Sequence, residues 1–183
     1  MKTLKDESGD IESLMTTLQE KIREEAQRFI LEDATMKILK YIKLLKKDFR
    51  VLPGLGLVIE EKAQDLTIPI YIIFRPPEWI EMKTLLASGK ELPSNLANQC
   101  GVYEILLKLA NDFAELSFSI DKEENLYARQ NILVGALSFD AFKEEYDALV
   151  LSAVIFRKEL LKKFKACVRK YEEFKKIFES ELT

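Results

Sequence analysis

A run of nine residues, Leu66-Thr67-Ile68-Pro69-Ile70-Tyr71-Ile72-Ile73-Phe74, constrains this chain more than any other. It is almost continuously apolar and rich in β-branched side chains, which suits a pleated, largely buried surface and not an amphipathic helix. It predicts a β-strand, and a sheet that other elements must cover. Pro69 has no N–H to offer a ladder, so it predicts an edge position or a bulge. Arg50 to Ile59 is also β-rich, and its Pro53, Gly54 and Gly56 again suggest a bulge or an edge; Lys62 to Asp65 reads as a turn. Glu78 to Leu86, after Pro76-Pro77, fits two periods. Its leading prolines and trailing Gly89 are helix grammar. Yet Ile80, Met82, Thr84 and Leu86 alternate with Glu81 and Lys83 as on a half-buried strand.

Helical spacing flanks this β-rich region. Residues 1–10 are polar with Gly9 and predict a disordered N-terminus. Ile11, Leu14, Leu18, Ile22 and Phe29 then recur at three- and four-residue steps behind Asp10, a capping residue. Met36, Ile38, Leu39, Ile42 and Leu45 mark the apolar face of 33–48, and Glu32-Asp33 leaves open whether 11–48 is one helix or two. After a loop over 88–98, a helix is predicted from Gly101 to Asn111, with Val102, Ile105, Leu106, Leu109 and Ala110 inward. Leu116–Ile120 and Leu126–Leu133, joined by the polar turn Asp121–Asn125, read as a β-hairpin. Ser138 caps a long helix that can continue to Glu179, where Leu160, Phe164, Cys167, Tyr171, Phe174 and Phe178 repeat in heptad steps.

The order helix, three strands, helix, two strands, helix predicts an α+β fold. Its antiparallel sheet has about five strands, with helices on one face and extended N- and C-terminal helices. The expected parts are a disordered 1–10, a helical segment 11–48, an α+β domain 49–165 and a C-terminal helix extension 166–183. At 183 residues the chain is about one domain long, and size scaling gives a folded surface of roughly 9,000 Å².

Composition narrows the chemistry. There is no histidine, which removes Ser-His-Asp, Cys-His and His-metal sites. Lys and Arg number 28 against 31 Asp and Glu, a net charge of −3, so no basic field covers the whole chain. Two cysteines, Cys100 and Cys167, make no disulfide framework and fit a reducing, cytoplasmic setting. The N-terminus has no apolar signal core, and no apolar run reaches the roughly 20 residues a membrane helix needs. High Lys and Glu with few Asn and Gln leans towards a thermophile source.

No residue cluster carries a strong catalytic signature. Gly54-Leu55-Gly56 lacks the third glycine and following helix of a dinucleotide loop, since position 59 is Ile. Glu78 with Glu81, Glu123 with Glu124, and Glu144, Glu145 and Asp147 fall on predicted turns and polar helix faces. Cys100 sits before a predicted helix but has no histidine as a base. Trp79 with Arg75 and Tyr71 could form a stacking platform beside a charge. Lysine-rich stretches at 37–50 and 158–170 could touch phosphates, but solvated helix faces explain them more simply. The strongest positive feature is surplus apolar helix surface, which marks partner interfaces more often than active sites.

The stretch Gly101 to Leu161 resembles the type III secretion chaperone-like fold, and within it the YbjN-type branch of sensory-transduction regulators. The carriers are the leucine-rich helix ending at Asn111, the strand Phe113–Asp121, the strand Leu126–Leu133 and the helix opening Leu137-Ser138-Phe139-Asp140-Ala141-Phe142. The resemblance covers about 50–165 and implies that 78–86 is a third strand. It also implies a non-catalytic, often dimeric protein that holds extended polypeptide, with no catalytic residue and no cofactor to carry over. The expected function is a chaperone- or adaptor-like protein that binds a polypeptide partner and forms a homodimer. Its expected contact residues are Leu151, Ile155, Leu160, Phe164, Tyr171, Phe174, Phe178 and Trp79. The heptads suggest that 11–30 pairs with 158–180, within one chain or between two. Alternatives are a nucleic-acid binder using the lysine faces and a carboxylate- or metal-dependent hydrolase.

Overall fold

The computed structural model describes residues 4–54, 56–75, 78–92, 96–112, 117–162, 176, 179 and 180. Helix α1 (Leu4–Leu44) leads into strands β1 (Phe49–Leu52), β2 (Gly56–Ala63), β3 (Leu66–Arg75) and β4 (Trp79–Ala87). Helix α2 (Leu96–Asp112), strands β5 (Phe118–Ile120) and β6 (Leu126–Leu133), and helix α3 (Phe139–Ile155) follow. A π-helical turn, Phe156–Leu160, prolongs α3. The fold is α+β, with a six-stranded antiparallel sheet in the order β1-β2-β3-β4-β6-β5.

The sixth strand comes from a turn that the sequence disguises as a bulge. Leu52 pairs with Gly56, so Pro53 and Gly54 fall in a tight connection that divides Arg50–Ile59 into two strands. Gly54 sits at φ +87°, a conformation that side-chain-bearing residues rarely adopt. Pro69 is likewise not at an edge: β3 is interior, flanked by β2 and β4. It is tolerated because pairing with β4 begins one residue later, at Ile70↔Thr84, so that side of the ladder needs no donor at 69. Residues 79–87 are strand, as the resemblance implied for a segment whose own pattern fits two periods.

The helices also depart from expectation at their ends. α1 runs unbroken from Leu4 to Leu44, so helix already occupies most of the 1–10 stretch expected to be disordered, and Glu32-Asp33 does not divide it. α2 starts at Leu96, not 101, which puts Cys100 within the helix. Ser138 caps α3, its Oγ accepting from the Ala141 amide at 3.1 Å. The helix is described to Lys162, so the expected continuation towards Glu179 lies largely outside the described residues.

One sheet face meets the helices. Ile59 of β2, Ile70 and Ile72 of β3, Ile80 and Met82 of β4, and Ala128 of β6 pack with Ile38 and Ile42 of α1, Leu109 of α2, and Phe142 and Phe156 of α3. The pleat sends Tyr71, Glu81, Lys83, Tyr127 and Arg129 to the opposite face. The accessible surface, 11,896 Å², exceeds the roughly 9,000 Å² of a compact chain of this mass. The long exposed half of α1 contributes to that excess.

Candidate docking groove

Among the described residues the sheet ends at β5, three residues long and paired on one side with β6. Register places Phe118 opposite Ala128 and Ile120 opposite Leu126, both on the helix-facing side, so their side chains point towards α2. There α2 buries Val102, Ile105, Leu106 and Leu109 but leaves Leu107 72% exposed. Between helix and strand lies a groove of about 380 Å³ lined mainly by Tyr103, Leu106, Leu107, Ala110, Phe118 and Ile120. An apolar groove beside a free strand edge can add a peptide strand by backbone hydrogen bonds and seat its alternate side chains.

The adjoining hairpin is rigidly built. Asp121 Oδ1 accepts from the Glu123 and Asn125 amides, both at 2.9 Å. Its Oδ2 accepts from Asn125 Nδ2 at 2.9 Å and from the Tyr127 hydroxyl at 3.0 Å. Desolvation alone would raise the Asp121 carboxyl, but these donors outweigh it and hold it below the usual carboxylate range. Desolvation, then the bond to Asp121, pushes Tyr127 up to about 12. Gly89 packs against this turn so closely that a Cβ there would lie 2.6 Å from the Glu123 carbonyl oxygen.

The open sheet face is mixed in charge. Buried Glu81 accepts from Arg75 Nε at 2.9 Å and has Arg129 Nε at 4.0 Å. Lys83 Nζ stands 4.6 Å from the Tyr127 ring centroid. Trp79 is 46% exposed and pairs with Arg75 and Leu133 in register. A second buried carboxylate, Glu61, takes Lys47 Nζ at 2.6 Å and the Tyr146 hydroxyl at 2.5 Å. Burial, then the Glu61 contact, pushes that tyrosine's pKa upward.

The sequence-expected contact residues scatter. Ile155 and Leu160 belong to the chain's own core, so neither is available to a partner; their wide apolar stripe is consumed by the sheet. Leu151 is half-buried against the same core. Trp79 lies on the open face, away from the helices. Phe164, Tyr171, Phe174 and Phe178 lie outside the described residues. The reading missed Leu107, Phe118 and Ile120. Leu107 carried a usable signal, an apolar residue out of phase with the buried face of α2, whereas the groove itself depends on where β5 docks. Glu61 and Glu81 were missed because nothing local marks a carboxylate whose cation arrives from another element.

Among the described residues no cluster of three Cys, Asp or Glu could hold a metal, and no helix is long and apolar enough to cross a membrane. Several helix lysines already face acids, as in Lys37–Asp33 at 2.7 Å, Lys108–Glu104 at 2.6 Å and Lys143–Asp147 at 2.5 Å.

No protein-family model matches this chain, and no curated protein does. Solved structures do. One is the ExsC–ExsE complex: 13% identity, 70% of this chain and 94% of that one, TM-score 0.52. Another is an uncharacterized protein from Methanothermobacter thermautotrophicus: 14% identity, 71% and 97%, TM-score 0.51. A third is the HopA1–SchA chaperone–effector complex: 21% identity, 65% and 88%, TM-score 0.47. At these identities the likeness is one of fold, and the fold is type III secretion chaperone-like, as the motifs between Gly101 and Leu161 resemble.

Proposed function

We propose that this chain is a non-catalytic, chaperone- or adaptor-like protein that holds an extended segment of a partner polypeptide and associates with itself. The observation that carries this reading is the groove between α2 and β5, where an apolar floor adjoins a strand edge with no further strand beyond it among the described residues. Such a site supplies backbone hydrogen bonds for affinity and side-chain pockets for selectivity. Similarity of fold to ExsC, a protein found in complex with ExsE, supports the assignment. The motifs over 101–142 favour the YbjN-type branch, and the reduced-thiol composition favours the cytoplasm. The nucleic-acid reading is weaker, because within the lysine-rich stretches Lys37, Lys47, Arg50 and Lys158 are paired with Asp33, Glu61, Glu60 and Asp65, which lowers their attraction for phosphate.

The test is a peptide array of extended, amphipathic sequences, read by fluorescence anisotropy against wild-type protein and Leu107→Asp/Ile120→Asp. Both positions are exposed, so the variant is expected to fold normally. Binding should be weakened at least tenfold by the double substitution. Peptides bound equally by both proteins would remove the groove from the account.

A further inference from the structure

The geometry points to a second copy of this chain as the cover for the projecting part of α1, seated as an antiparallel pair of α1 helices. This rests on the self-association named above and deepens it, and it is independent of any client polypeptide. Helix α1 joins the core only from Leu31 onward, through Ala34, Ile38 and Ile42. Roughly 40 Å of helix precedes that point. A helix in a protein takes most of its stability from packing one face, not from propensity, and this stretch offers such a face. Met15, Leu18, Ile22, Phe29 and Met36 are exposed, Phe29 by 73%. With 3.6 residues per turn, that line lies roughly opposite Ala34, Ile38 and Ile42, so the elements packed on the core side do not reach it. Its spacing follows the alternating three- and four-residue steps of a coiled coil, with Glu25 and Glu32 at the intervening steps. The line stays open even beside the domain, where Met36 is 67% exposed, so a partner helix has room along α1.

Charge selects the occupant and its direction. Residues 4–20 hold five acidic residues against one basic, a net −4, whereas residues 34–44 hold three lysines and no acid. Two copies lying in the same direction would set acid against acid at one end and lysine against lysine at the other. In register they would also stack Glu25 on Glu25 and Glu32 on Glu32 within the seam, and like charges facing each other repel. Antiparallel copies put each acidic end beside the other's lysines. Lys40 and Lys43 are exposed and continue the line beyond Met36, where the acidic end of the second copy arrives.

The middle of the helix sets the register. Arg28 stands between Glu25 and Glu32, at 3.7 and 3.4 Å. A two-fold axis beside Arg28 brings the same triplet of the second copy against it, so each guanidinium lies among carboxylates of both chains. The same axis sets Leu18 opposite Met36 of the second copy on either side of this polar layer. Each seam glutamate then faces Ile22 or Phe29 of the other chain and not its own counterpart. A polar layer inside an apolar seam costs stability and specifies one register. The pairing uses the same surface on both copies, and it closes as a dimer with no open end.

Sedimentation velocity on the full chain tests this. Leu18→Ala/Ile22→Ala/Phe29→Ala keeps helix propensity at exposed sites, so the domain's thermal transition should hold while self-association weakens about tenfold or more. At low salt, Lys40→Glu/Lys43→Glu and Asp10→Lys/Glu12→Lys should each weaken it about threefold, and both pairs combined in one chain should restore it. Helices packed in the same direction would not respond so, because reversing one end exchanges one like-charge contact for another. If wild type associates but the alanine variant associates equally well, this inference falls while self-association stands. Single reversals without effect, or a combined variant that stays weak, overturn the antiparallel pairing. A wild type that is monomeric on the order of tens of micromolar would sink both readings.

Discussion

The Tyr146 hydroxyl donates to Oε2 of Glu61 across 2.5 Å, joining α3 to β2 inside the core. Lys47 approaches the same carboxylate from the connection that follows α1. Three elements distant in sequence are thus tied at one buried anion, which is satisfied by a cation and a neutral donor together.

Tyr146→Phe removes the donor and leaves one lone pair of a largely buried carboxylate unmatched. It should cost about 1–3 kcal/mol, read as a lower urea midpoint with unchanged slope. A variant as stable as wild type would show that Lys47 alone satisfies Glu61.

Stability should fall at both extremes of pH through the hairpin. Asp121 is held below its ordinary value of 3.8, so the stability it lends is present above that pH and is lost as pH falls below it. Tyr127 is raised from 10 to about 12, so its share is present below pH 10 and is lost as pH rises from 10 towards 12. Thermal unfolding across pH 2–12 measures both limbs, and Tyr127→Phe should flatten part of the alkaline one.

Gly89→Ala should destabilise by more than the few tenths of a kcal/mol typical of surface changes, because the new methyl meets the Glu123 carbonyl at 2.6 Å and backbone cannot yield as a side chain would. Gly54→Ala has open space around it, yet its φ of +87° should cost about 1–2 kcal/mol. Denaturation midpoints of the two variants separate a steric cause from a conformational one.

Ile38→Ala should cost about 2–5 kcal/mol, since Ile38 is fully buried. Phe29→Ala on the same helix should change stability by no more than about 0.5 kcal/mol, measured at concentrations low enough to keep the chain monomeric. Equal losses would mean that the two halves of α1 are anchored alike.

Much of the architecture was written in local pattern. The β-branched run Leu66–Phe74 reads as strand and Ser138 as a helix start, and both are; the alternation of Ile80, Met82, Thr84 and Leu86 competes with the helix-like prolines before it, and the resemblance of fold tips 78–86 to strand. Side-chain period is a property of neighbours in sequence, so it survives without coordinates. The ends and junctions were harder. Pro53-Gly54 reads as a bulge or an edge until Leu52 pairs with Gly56 and makes it a turn, and Pro69 reads as an edge or a bulge although β3 is interior, its ladder to β4 starting at Ile70.

What only the tertiary structure decided is which apolar surface is spent inward. Ile155 and Leu160 have the spacing of an interface and are core, whereas Leu107 and Phe29 have helical apolar character and face solvent. Periodicity says that a helix has a greasy side but carries no information on the distance to the nearest sheet. Burial is set by contacts between residues far apart in the chain, and the groove between α2 and β5 exists only once those contacts have formed.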